Sequence, residues 1–182
     1  MKLHKNIRIE SIASSDRSRC AIGEPYLDIT DGKGTLVSTN GNAMAIVPVA
    51  LAPEDVAGYV SADALRAARK QSKRTDEASL ALGGSVATLA DGSTMPRAGV
   101  ATGCTFPSWR QVVPRETPAV TVALNAKLLW ELAQAMGTQG VKLCIASPDQ
   151  PVVVLPAAAG CRGEIHCACD ETRGVIMPIR VS

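Results

Sequence analysis

Two stretches of this 182-residue chain follow one grammar, and that repetition constrains the fold more than any single motif. GYVSADALRAARKQSK followed by ASLALGG and SVATLAD reads as strand, capped helix, strand, tight turn, strand. AVTVALNAKLLWELAQAM followed by VKLCIASPD and PVVVLPA reads the same way. Ser61 and Asn125 stand at the two helix starts, where a side-chain oxygen satisfies orphan backbone donors, and the spacing predicts helices over about 62–73 and 126–136. Gly83-Gly84 and Pro148-Asp149 stand where each hairpin must turn. A duplicated βαβββ unit is the economical reading.

The first fifty residues read as a worn third copy. A short helical stretch around IRIESIASS leads into strands within RCAIGEPYLDIT, GTLVSTN and AMAIVPV, with Asp31-Gly32-Lys33-Gly34 as the hairpin turn. CTFPSWRQVVPRETP carries three prolines and reads as a linker that packs against something. The expected organisation is a two-unit domain over 1–104, a proline-rich linker over 105–118 and a half domain over 119–182. The fold class is α+β, with helices on one face of antiparallel sheets.

Apolar residues make up 46% of the chain and charged residues 20%, the balance of an ordinary globular protein rather than a disordered one. Tyr26, Tyr59, Phe106, Trp109 and Trp130 are the full aromatic set, too few to grip splayed bases by stacking. A net charge of +2 argues for nucleic acid only through its distribution. The helix over 62–73 places Arg66, Arg69, Lys70 and Lys73 on one face, with Arg74 beside them, and only Asp63 opposes them, at the helix N-terminus. A solvated face ordinarily mixes both signs. A single-sign stripe suits a row of phosphates, and the amino-terminal segment adds Lys2, Lys5 and Arg8. Four such contacts would give a slope of about −3.6 in log K against log salt, with no base readout. In the second helix Leu128, Leu129, Leu132 and Met136 form the packing stripe and Lys127, Glu131 and Gln134 the polar face. Trp130 beside the stripe reads as a core or interface residue rather than a ligand platform.

Six cysteines are present, and MKLHKNIRIE has no apolar secretory core, so the expectation is a reduced, cytoplasmic protein. The longest apolar runs are broken by proline and fall short of a bilayer span. Cys161, His166, Cys167 and Cys169 lie close in sequence, but no paired CxxC knuckle is present and GEIHCAC as a strand sends His166 to the opposite face, so no metal and no cofactor is assigned. His4 and His166 are the available imidazole bases, and GxSxG, P-loop and HExxH motifs are absent. A non-enzyme is expected.

LVSTNGNAMAIVPV resembles the strand-turn-strand of the bacterial sliding clamp, the DNA polymerase III β subunit. FPSWRQVVP resembles that family's linker, and the closing VIMPIRV resembles its carboxyl terminus. All three occur in the family's order from about residue 19 onward, in a chain shortened as a phage or prophage member would be. The resemblance implies a processivity factor that holds double-stranded DNA without sequence preference and docks a polymerase or other replication protein through a short peptide. It also implies a homo-oligomer, with one domain completed across a subunit boundary, and no membrane. By matching position the peptide pocket would use Ile22; Thr39, Gly41, Asn42, Ala43 and Met44; Pro107, Gln111 and Val112; and Val175, Ile176, Met177, Pro178, Ile179 and Arg180, converging in one cleft. The family's charged turn residues are replaced by Asn40, Asn42 and Ala43, and a linker arginine by Gln111. The alternative is a clamp-derived interaction module that does not encircle DNA.

Overall fold

Alternating apolar residues set the strands. EASLALG at Glu77–Gly83 buries Ala78, Leu80 and Leu82 and turns Ser79 and Ala81 to the other side, the period-two pattern of a strand with one face in the core. The computed structural model describes residues 1–16, 18–72, 75–99, 103–157 and 172–179. It divides into two units, Met1–Pro114 and Arg115–Ser182, so residues 105–114 belong with the first.

Unit 1 contains two repeats. The first runs β1 (Lys2–His4), a 3-10 turn at Ile9–Ile12, β2 (Tyr26–Thr30), β3 (Lys33–Thr39) and β4 (Met44–Val49). The second runs β5 (Gly58–Tyr59), α1 (Ala62–Gln71), β6 (Glu77–Gly83), β7 (Val86–Leu89) and β8 (Thr94–Pro96). The β2–β3 hairpin closes on Asp31 (φ 52°) and Gly32 (φ 71°), with Thr30 opposite Lys33. Two consecutive positive φ angles are what a two-residue turn between twisted strands demands.

The repeats exchange their first strands. The sheets are ordered β1-β6-β7-β8 and β4-β3-β2-β5, so β1 of the first repeat lies on the second repeat's sheet and β5 of the second lies on the first's. The core is shared accordingly: Met1, Leu3, Leu27 and Leu36 pack in one cluster with Val60, Leu65, Leu80 and Leu82. At about 25 cal/mol per Å² of apolar surface removed from water, this common core is the main stabilising term of unit 1.

Two local expectations need correction. Helix α1 stops at Gln71, with Ser72 closing it by donating its hydroxyl to Ala68 O at 2.9 Å. Ser61 makes no side-chain cap; the Glu24 carboxylate of the first repeat accepts the Ala62 N–H at 2.8 Å instead. A carboxylate brought in by tertiary packing also suits the positive end of the helix dipole.

Unit 2 is one repeat: α2 (Ala126–Ala135), β9 (Val141–Cys144), β10 (Val152–Pro156) and β11 (Gly174–Ile176), with sheet order β11-β10-β9. Asn125 caps α2, its side-chain oxygen accepting from Lys127 N at 3.0 Å and Leu128 N at 3.4 Å. Val152, Val154 and Ile176 are buried against Leu124, Leu129, Leu132 and Met136. Leu128 leaves the packing stripe assigned to it and is exposed, as is Trp130. The stretch AVTVAL forms no ladder, and its described backbone bond is Ile179 N–H to Ala123 O at 2.8 Å.

The cysteines correct the reduced reading. Cys20 and Cys104 form a disulfide across 84 residues of sequence, a pairing set by tertiary contact and invisible in spacing. Cys161, His166, Cys167 and Cys169 lie outside the described residues. Among the described residues no helix is long and apolar enough to cross a membrane.

Candidate functional site

The expected pocket residues fall in both units, and each set is built locally. In unit 1 the turn after β3 is held by its own side chains. The Thr39 hydroxyl donates to Ala43 O at 2.7 Å and accepts from Gly41 N at 3.1 Å. The Asn40 side-chain oxygen accepts from Asn42 N and Ala43 N, both at 2.9 Å. Local bonds of this kind are why Asn and Thr favour turns. Gly41 has φ +91°, and a Cβ there would meet Arg19 Nη1 at 2.9 Å and Ile22 Cδ1 at 4.0 Å. Ile22 and Thr39 are thus buried supports, while Gly41, Asn42 and Ala43 are exposed and Met44 is partly covered.

The linker packs on β2. Phe106 stacks on Tyr26 with ring centroids 5.1 Å apart. Trp109 Nε1 donates to Asp28 at 2.8 Å, and the Arg110 guanidinium pairs with the same carboxylate. Burial pushes the Asp28 carboxyl up, but the donors Trp109 and Arg110 outweigh it and hold it below the usual carboxylate range. This anchoring presents Pro107, Gln111 and Val112 at the surface.

In unit 2 the chain alternates after Arg173. Gly174 and Ile176 turn inward, while Val175, Met177 and Ile179 turn outward. Ile176 is therefore a core residue rather than a wall of the pocket. A cleft of about 580 Å³ is lined by Thr121, Ala123, Pro148, Asp149, Met177, Pro178 and Ile179. Thr121, Ala123 and the Pro148-Asp149 turn were not among the expected site residues; they reach the cleft through the Ile179–Ala123 hydrogen bond, which no local sequence signal announces. Arg180 lies outside the described residues.

The cationic stripe is altered by packing. Arg69 is nearly buried, its side chain 14% exposed, and it pairs with Glu10, whose side chain is 5% exposed. It also donates to Ile7 O at 3.3 Å. Arg69 thus joins the two repeats and is withdrawn from any outside anion. Arg66 pairs with Asp63 at 2.7 Å and Lys5 with Asp76 at 2.9 Å, both on the surface. Lys70 and Arg8 are exposed and make no ion pair among the described residues. Lys73 and Arg74 lie outside them.

Exchanged antiparallel sheets with helices on one face define a class, the α+β DNA clamp fold. Within it, the chain matches solved structures of bacterial sliding clamps. The DNA polymerase III subunit beta of Borrelia burgdorferi, solved with a natural product, superposes with a TM-score of 0.63 at 16% identity, over 85% of this chain and 43% of that one. The C. crescentus beta sliding clamp gives 0.63 at 18% identity, over 98% and 50%. The Pseudomonas aeruginosa clamp bound to griselimycin gives 0.53 at 14% identity, over 100% and 65%. The chain thus spans about half the length of the first two. No protein-family model and no curated protein matches it. At these identities the likeness establishes the fold.

Proposed function

We propose that this chain is a non-catalytic, clamp-like protein of the cytoplasm that associates with double-stranded DNA and docks replication proteins by a short apolar peptide. The observation that carries the docking is the cleft of unit 2, where Met177, 63% exposed, stands beside Pro178 and Ile179. Large exposed apolar side chains at a concave surface are what anchoring residues of an extended peptide bury. The structural likeness to sliding clamps supports the same reading. A fluorescent peptide with Leu and Phe anchors tests it by anisotropy: Met177→Asp is expected to weaken binding at least tenfold, about 1.4 kcal/mol. Equal affinity of Met177→Asp and the parent rejects the cleft. Val112→Asp in unit 1 asks separately whether the linker takes part.

The DNA part rests on Arg66, Lys70 and Arg8, because Arg69 serves an internal pair. Three contacts at about −0.9 each give a slope of about −2.7 in log K against log salt. Arg66→Glu combined with Lys70→Glu should remove most of the association. The ion pairs of Arg66 and Arg69 favour a second reading, a clamp-derived interaction module that binds peptide without encircling DNA. DNA affinity unchanged in the double variant, with peptide binding intact, selects that reading.

A further inference from the structure

The first strand of each repeat is the part that the repeat does not pair with itself. In unit 1 both are lent. β1 joins β6 with Leu3 opposite Ala78, and β5 joins β2 with Tyr59 opposite Tyr26. The lent strand keeps only a touch on its own repeat, as Lys2 N–H to Ala50 O at 2.8 Å just after β4.

Unit 2 repeats the first half of that arrangement. Ala123 O accepts from Ile179 N, just after β11, so the peptide groups of Ala123 face their own repeat. Along an extended strand these groups alternate in direction, which turns Val122 and Leu124 to the opposite side. The complementary edge is β9. Ala157 N donates to Gly140 O at 2.8 Å, and Pro156, opposite Val141, has no N–H to give. The peptide groups of Val141 and Leu143 therefore turn away from β10, and among the described residues the sheet ends at β9. Among its described residues, one repeat thus holds a strand to lend and an edge to receive one.

The helix tells the same story. Ala64, the third residue of α1, is fully buried in the two-repeat unit, whereas Leu128, the third residue of α2, is 48% exposed. Trp130 beside it is 63% exposed. The position lies inside the core that the two repeats of unit 1 share, and it is open in the single repeat of unit 2.

We propose that unit 2 is completed by unit 2 of a second copy of this chain. Each copy lends residues 120–124 to β9 of the other, Leu124 against Val141 and Val122 against Leu143. A second copy fits because it offers both the strand and the edge, so the exchange closes on a two-fold axis as a self-complementary interface. The pairing continues, between chains, the interface that unit 1 makes within one. It rests on the repeat topology and on neither DNA nor peptide binding.

Light scattering on the full chain at tens of micromolar tests it. The expected mass is an even multiple of 18.9 kDa, falling at least twofold in Leu128→Asp with the circular dichroism unchanged. A second measurement does not depend on that variant. Val122→Cys combined with Leu143→Cys places the two thiols on an antiparallel pair about 5.5 Å apart at Cα, within disulfide reach. Oxidation should give a covalent dimer in the double variant and not in either single one. A monomeric parent chain overturns the proposal, as does an oligomer indifferent to Leu128→Asp or a double variant that closes its disulfide within one chain.

Discussion

Helices α1 and α2 occupy the same place in two copies of one plan, yet they are served by different parts of the molecule. In α1 the cap is Glu24 and the counter-charge of Arg69 is Glu10, both from the neighbouring repeat. In α2 the cap is its own Asn125, and the polar face pairs Lys127 with Glu131 along the helix at 3.7 Å. A helix packed against a second repeat hands its N-terminal cap and one charged edge to that repeat. A helix in a single repeat must satisfy them locally, and its surplus apolar residues, Leu128 and Trp130, remain outside.

The largest effect that would break this contrast lies in the inter-repeat pair. Arg69→Ala leaves Glu10 buried without a partner, and losing one member of a buried pair costs about 3–5 kcal/mol. Urea unfolding should show that loss, whereas Lys127→Ala, which breaks the exposed pair of α2, should cost under about 0.5 kcal/mol. Similar losses in both variants would erase the distinction between the helices.

Matched core truncations sharpen it. Leu65, the fourth residue of α1, is 1% exposed, and Leu65→Ala should cost about 3 kcal/mol. Leu129, the fourth residue of α2, is only partly buried, and Leu129→Ala should cost about half as much. The two denaturation midpoints decide it, and a larger loss at Leu129 would contradict the smaller core of unit 2.

Acid should act on unit 1 through Asp55. Burial pushes its carboxyl up, but the amino-terminal ammonium at 2.6 Å and the Ala52 and Leu82 N–H groups outweigh this and lower its pKa. A carboxyl whose folded pKa is depressed adds stability above its unfolded pKa of about 3.9, and that stability is lost as pH falls through the folded value. Stability measured between pH 6 and 3 should decline less steeply in Asp55→Asn than in the parent. Parallel declines would remove Asp55 from the account.

The smallest expected difference concerns the caps. Asn125→Ala should cost about 1 kcal/mol, the usual price of an N-cap. Ser61→Ala should cost close to nothing, because Ser61 makes no cap bond. Equal losses at the two sites would mean that Ser61 caps α1 in solution.

The legible parts of this protein are those set by neighbours in sequence. The Asp31-Gly32 turn, the Asn125 cap and the alternation in ASLALG were all readable, because φ preference, a side chain two residues from its target and a period of two are local properties. The three repeats were readable for the same reason. The site was only partly so. Met177 and Ile179 were named only by matching position to the clamp tail, and the structure's alternation turns them outward but Ile176 into the core; a run of apolar letters does not say which of its members face out.

Contacts between distant residues were decided by the tertiary structure alone. Glu24 reaches the first turn of α1, Glu10 lies beside Arg69, Asp28 accepts from Trp109 and Arg110, and Cys20 is bonded to Cys104. Each partner is at least 38 residues away. The helix over 62–73 looked like a free cationic stripe because periodicity reports which face a residue occupies and not what packs against that face. The sequence by itself determined the repeat, its turns and its binary pattern. Only folding decided which charges were consumed in joining one repeat to another, since a counter-charge or a strand partner is fixed by proximity in space, and proximity across a chain is not written at any one place along it.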